Sequence, residues 1–233
     1  GDVYKRQALE CLQAAEYKDI SMLDPAEPEK LQDAIGKIIL ERYSPYFGEN
    51  DPVARMEAFN SFRILCAHRQ GPYGFHNLNR LVEAQLETEG LLEFEGAWYH
   101  GRPIMITRND YQLNLFNGDT GLIAREPSRG DALRAQFIDP EGQVRSFAPS
   151  RLPPHETSYA MTIHKSQGSE FDRVLVILPN GPSALLSREL IYTAITRAKN
   201  EVLLLGSDET IRSGIEKRIE RASGLRDALW VPR

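Results

Sequence analysis

Apolar residues along this chain fall into three textures. In the first stretch they recur at helical spacing. Ala8 to Tyr17 is rich in helix formers, and after Asp24-Pro25 and Pro28 the positions Leu31, Ile35, Ile38 and Ile39 stripe one face, so residues 1–54 read as a helical segment. Asp51-Pro52 is an N-cap and first-turn pair that starts a short helix through Phe59. Arg63-Ile-Leu-Cys-Ala67 then reads as a buried strand. The loop His68–Gly74 follows, and the next helix buries Leu78, Leu81, Val82 and Leu86, which completes one α/β unit.

From Gly101 to Arg151 short strand-like runs replace the helical pattern: Ile104–Thr107, Leu113–Phe116, Gly121–Ala124, Leu133–Phe137 and Val144–Phe147. Asn117-Gly118-Asp119 is a hairpin signal, and Asp139-Pro-Glu-Gly142 suits a type I turn. This spacing predicts a small β-barrel over 101–152. Pro153-Pro154 marks the return of the α/β texture, so the barrel is inserted between 55–100 and 153–233. The segment holds seven arginines, no lysine and six acids. Being near neutral, it gives Arg102 and Arg108 a solvated role more readily than a place in a channel for a nucleic-acid strand.

In the last third, Val174–Leu178 and Glu201–Leu205 are apolar runs read as buried strands, the second closed by Gly206. Between them a helix is predicted over Ser187–Lys199, striped by Leu190, Ile191, Ala194, Ile195 and Ala198, with Arg197 at the stripe's edge where a cleft could receive it. A final helix carries Ile211, Ile215 and Ile219, and its Arg212, Lys217, Arg218 and Arg221 read as a solvated face.

The polar stretch Tyr159–Phe171 precedes the first of these strands, the layout of a ligand loop at the edge of a parallel sheet. His164, Lys165, Ser166 and Gln167 offer donors for phosphate oxygens. Gly168 allows a close backbone approach, and Glu170 can accept from a ribose hydroxyl.

Composition narrows the choices. Against 28 basic residues stand 33 acidic ones, a net charge of −5, so no global positive field draws in duplex DNA and only local charge placement could serve a nucleic acid. Cys11 and Cys66 make no disulfide framework, which suits a reducing cytoplasm. No apolar run is long enough to span a membrane, and no signal peptide is visible. The five histidines are scattered and show no zinc spacing. Gly36-Lys37 imitates a phosphate-loop ending, but Leu31 stands where the upstream glycine belongs and Ile38 where Ser or Thr would hold magnesium; it reads as ordinary helix. Gly1 in place of Met suggests a piece of a longer chain.

Thr162-Ile-His-Lys-Ser-Gln-Gly-Ser-Glu-Phe171 resembles motif V, and Tyr192-Thr-Ala-Ile-Thr-Arg-Ala-Lys199 motif VI, of superfamily 1 DNA helicases, in the variant of the RecD type, the alpha subunit of exodeoxyribonuclease V. Leu65–Gly74, Gly101–Asp110 and Leu115–Gly121 extend the resemblance to roughly residues 55 to 205. It implies an α/β, RecA-like parallel-sheet motor domain called 2A with an inserted SH3-like β-barrel called 2B.

The resemblance also implies roles. Arg197 would be the arginine finger on ATP, and Gly168 and Glu170 would lie near the nucleotide. Thr162, His164, Lys165 and Ser166 would face single-stranded DNA. ATP and Mg2+ would be used by the full-length protein. The partners would be single-stranded DNA, an N-terminal RecA-like domain and other subunits of a RecBCD-type complex in DNA repair and recombination, with 5′ to 3′ movement. The nuclease centre of such a complex lies on another subunit. No Gly-x-x-x-x-Gly-Lys-Ser/Thr occurs in the 233 residues, so this chain by itself is expected to bind no nucleotide tightly and to lack ATPase activity. The rival reading is a non-enzymatic single-stranded DNA-binding or docking module.

Overall fold

A computed structural model describes residues 19–181 and 183–217. The chain runs through β1 (Ile20–Leu23), α1 (Leu31–Phe47), α2 (Pro52–Asn60), β2 (Phe62–Cys66) and α3 (Phe75–Thr88). It then forms β3 (Pro103–Ile106), β4 (Thr120–Glu126), β5 (Ala132–Ile138), β6 (Val144–Phe147) and β7 (His155–Thr157). β8 (Ala160–Thr162), β9 (Phe171–Ile177), α4 (Arg188–Ile195), β10 (Ala198–Leu205) and α5 (Asp208–Glu216) complete it.

Five strands make a parallel sheet in the order β1-β10-β9-β2-β8. Helices cover both faces, so the central strands are runs of apolar residues after a charged start (Arg63 in β2, Asp172-Arg173 in β9) rather than alternating with polar residues. Leu175 and Ile177 of β9 point into a core shared with α1, α2 and α3, while Val174 and Val176 point into a second core shared with α4 and α5. This is the α/β layer the sequence predicts, and Gly36-Lys37 is indeed interior helix, in α1.

The other five strands form an antiparallel sheet in the order β6-β5-β4-β3-β7, inserted between α3 and β8. Its own core is Ile104, Ile106, Leu115, Ile123, Ala135 and Phe137. The insert continues past the Pro153-Pro154 punctuation, because β7 pairs with β3 through Ile104 and Thr157.

Three predicted elements differ. Residues 20–23 are a strand, not helix: a four-residue run is too short to show a period, and pairing with Val202–Leu205 at the sheet edge decides its state. Leu113–Phe116 is not a strand but part of the long β3–β4 loop, where Asn114 adopts φ +54°. Helix α4 ends at Ile195 rather than Lys199, since Thr196 Oγ1 donates to the carbonyls of Tyr192 (3.0 Å) and Thr193 (3.1 Å) and Ala198 already pairs with Phe171. The expected helix Ala8–Tyr17, Cys11 and the positions Arg218, Ile219 and Arg221 lie outside the described residues.

A buried tyrosine cluster fixes both junctions of the insert. Tyr46 donates to the carbonyl of Gly101 (2.8 Å) where the chain enters the insert, and Tyr43 to the carbonyl of Tyr159 (2.6 Å) where it leaves. The Tyr46 and Tyr159 hydroxyls lie 3.0 Å apart. Gly101 has φ +86°, and a Cβ there would meet the Phe47 ring at 2.3 Å, so both conformation and space demand glycine.

Candidate functional site

The loop after β8 is wound rather than extended. Thr162 O accepts from the amides of Lys165 (2.9 Å) and Ser166 (3.2 Å), Ser166 Oγ donates to Ile163 O (2.8 Å), and Ser169 N donates to Ser166 O (3.0 Å). These bonds need Thr162 and Ser166 on the inside, and both are buried. Gly168 then reverses the chain at φ +87° with open space around its Cα, so it is required for backbone conformation and not for packing. His164 and Gln167 through Glu170 lie exposed on the outer side.

Arg197 meets this loop at two levels. Its main-chain carbonyl accepts from Phe171 N (2.8 Å), and its Nη1 donates to Ser169 O (3.0 Å). Nε is held by Thr193 O (3.2 Å) and Nη2 by Thr196 Oγ1 (3.4 Å). Among the described residues no carboxylate pairs with this half-buried guanidinium, so its full positive charge stands uncompensated beside Ser169 and Glu170. The Glu170 carboxylate likewise makes no hydrogen bond or ion pair among the described residues.

Lys165 has a partner. Its ammonium is bonded to Glu156 of β7 and lies 5.7 Å from the centre of the Phe75 ring. Arg69 approaches the same carboxylate at 3.7 Å and the same ring at 5.0 Å. One acid of the insert thus neutralises cations from the loops after β2 and β8. Beside it opens a groove of about 660 Å³ lined by Gln70, His76, Arg80 and Thr157. His164, unlike Lys165, points no bonded ring atom at the protein among the described residues.

A cleft of about 400 Å³ separates the loop from the insert, with Lys165, Ser169 and Glu170 on one wall and Gly118, Asp119 and Thr120 on the other. At its floor lies Arg63, which sequence reasoning absorbed into a strand without remark. It is 1% exposed, donates to Ser158 O (2.6 Å) and Asn60 Oδ1 (2.9 Å), and packs over Phe59 and Phe171 with no bond to its Nε. Burial pushes its pKa down to about 10, and nearby Tyr43 and Tyr46 oppose that. The available signal was a charge opening an otherwise apolar strand.

Cys66 is no nucleophile, since burial pushes its thiol up to about 12. Among the described residues no cluster of His, Cys, Asp or Glu could hold a metal, and no helix is long and apolar enough to cross a membrane.

Residues 157–205, which contain the wound loop and Arg197, match the UvrD-like helicase C-terminal domain. The RecBCD enzyme subunit RecD of Mycolicibacterium smegmatis is 47% identical over 75% of this chain and 30% of its own length. The ATP-dependent RecD2 DNA helicase of Deinococcus radiodurans is 33% identical over 62% of this chain and 20% of its own. A Bacteroides Pif1 helicase, solved with ADP-AlF3 and ssDNA, aligns over 83% of this chain and 52% of that one at 14% identity, with a TM-score of 0.45. The chain therefore spans about a third or less of the length of the relatives it matches by sequence.

Proposed function

Because this chain belongs to the RecD-type superfamily 1 helicases and corresponds to their C-terminal part, we propose that it supplies the second half of an ATP-driven DNA motor. In this reading the parallel sheet is the RecA-like domain 2A. The insert is the SH3-like 2B; in support, its fifth strand returns beside its first after the 3-10 turn Pro149–Arg151.

Arg197 serves as the arginine finger. A γ-phosphate in transfer spreads negative charge over its oxygens, and a guanidinium aimed there stabilises that charge. The observation that carries this reading is Nη1 of Arg197 on Ser169 O, with no carboxylate paired to it among the described residues. Carbonyl and hydroxyl partners hold the guanidinium in place without cancelling its charge. Glu170, one residue further on and unpaired among the described residues, accepts from the nucleotide's ribose, and the turn at Gly168 presents it. ATP and Mg2+ belong to the full-length protein, whose first RecA-like domain provides the phosphate loop. This 233-residue sequence has no such loop and by itself hydrolyses nothing.

Single-stranded DNA runs past the outer edge of the wound loop, where His164 and Lys165 contact it. Thr162 and Ser166 build the frame behind them. By family the movement is 5′ to 3′, in cytoplasmic DNA repair and recombination. The protein acts beside the other subunits of a RecBCD-type complex or as a stand-alone RecD2-like helicase.

The test is Arg197→Ala in the complete protein, followed by DNA-stimulated ATP hydrolysis and DNA affinity. Hydrolysis should fall by about 10³ to 10⁵ with affinity retained. Unchanged hydrolysis would make the domain a binding platform instead of a motor half.

A further inference from the structure

The β3–β4 loop of the insert, residues 107–119, holds Tyr111 (77% exposed) and Phe116 (40% exposed) out in water with their rings edge to face at 6.0 Å. The loop fixes these rings rather than merely exposing them. Asp110 Oδ1 accepts from the amides of Gln112 (3.0 Å) and Leu113 (2.9 Å), and Asp110 and Leu115 exchange two main-chain bonds (2.7 and 3.0 Å). Asn109 Oδ1 accepts from Asn117 N (2.8 Å), and Asp119 Oδ2 from Phe116 N (2.8 Å). Leu115, 1% exposed, anchors the loop in the insert's core.

The same bonds sort the charges. Both acids of the loop accept from main-chain amides, though Asp119 also lines the cleft. Among the described residues exposed Arg108 has no partner, and Arg145 spends its donors on the carbonyls of Leu113 and Asn114 without an ion pair. Phe116 also borders a groove of about 650 Å³ where Asp119, Asp139 and Glu141 outnumber Arg145, so that groove is less favourable to a phosphate backbone than the surface around exposed Arg108. Gly118–Thr120, at the loop's end, already form one wall of the cleft facing Lys165 and Glu170.

We infer that this loop is a stacking platform for the bases of single-stranded nucleic acid. Tyr111 and Phe116 take base faces, Arg108 takes a phosphate, and the strand continues onto the wound loop. The inference rests on the reading that single-stranded DNA passes His164 and Lys165, and adds a contact on the insert. Every base has a π-face, so such a platform grips without reading sequence, which is what a translocating motor requires.

The experiment uses the complete protein and a labelled oligothymidylate long enough to span both loops, read by fluorescence anisotropy. The double variant Tyr111→Ala, Phe116→Ala should bind at least about 5- to 150-fold more weakly, the range for losing one stacked base. Tyr111→Phe should bind as wild type does. Replacing bases with abasic sites should weaken the wild type by a similar factor and the double variant no further. Arg108→Gln should reduce the slope of log K against log salt by about 1. Both rings are exposed, so an unchanged unfolding midpoint separates these effects from misfolding.

If the double variant binds oligothymidylate as the wild type does, the platform is overturned while the motor reading stands. If it loses only a protein partner, the surface is a protein dock and the platform is overturned as well. A wild-type protein that binds no single strand at all removes the motor reading and this inference together.

Discussion

Arg63 packs over Phe171 and Arg197 bonds Ser169 two residues earlier, and neither has a carboxylate partner among the described residues, yet they are opposites. Arg63 is sealed between Phe59 and Phe171, its charge dispersed over ring faces and two oxygen acceptors, its pKa driven down by burial. Arg197 lies half-exposed on Ser169 O with its charge facing solvent. A guanidinium held by carbonyls is structural where water cannot reach it and available for chemistry where water can.

The sharpest way to break that contrast is to exchange the expected phenotypes. Arg197→Ala should cost the complete protein three to five orders of magnitude in hydrolysis, as about 10³ to 10⁵ is expected of an arginine finger, yet leave its urea midpoint nearly unmoved. Arg63→Ala should do the reverse at the level of stability. It leaves a cavity, orphans Ser158 O and removes the charge over Phe59, for a loss of about 3 kcal/mol or more in chemical denaturation. A stable Arg63→Ala protein would mean that the buried charge does no structural work.

Alkaline titration probes the sealed side next. Burial raises the pKa values of Tyr43, Tyr46, Tyr99 and Tyr159 above the ordinary 10.0. Their contribution is fully present below pH 10 and is lost as pH rises past it, because the unfolded chain then releases protons that the folded chain keeps. Each phenol should lower stability by about 1.4 kcal/mol per pH unit in that range. Arg63, lowered to about 10, works in the opposite sense and offsets one of them. Unfolding free energies should therefore be level from pH 7 to 9 and fall steeply above 10, less steeply in Tyr46→Phe; a flat profile to pH 11 contradicts the cluster.

The smallest effect sharpens the exposed side. Glu156 neutralises Lys165 and Arg69, so Glu156→Gln should release both cations to phosphates. Affinity for single-stranded DNA should rise several-fold, and its log–log salt slope should steepen by about 1 to 2. A fall in affinity would mean that the acid positions Lys165 instead of competing for it.

The parallel sheet was legible because its central strands are apolar runs bounded by glycine and polar loops, and the N-cap at Asp51 was found because Oδ1 accepting from Val53 and Ala54 is a local motif. Local patterns failed where a partner distant in sequence decides. β1 exists through β10, β7 through β3, and α4 stops early because Ala198 is claimed by Phe171. At the site, residue types and order singled out the polar loop and Arg197, which the structure brings into contact through Ser169, but not the winding of the loop. They could not tell that Ser166 faces inward or that Lys165 already has a counter-charge, since Glu156 lies nine residues away across a sheet junction.

Both ends of the insert enter through tyrosines that belong to its host, at Gly101 and Tyr159. A chimaera that transplants only residues 101–158 would therefore leave half of its mooring behind, and the graft should swivel unless Tyr43, Tyr46 and Phe47 travel with it. Modular exchange of this insert is restricted by a docking bay that lies in neither strand order nor loop length but on one turn of helix α1.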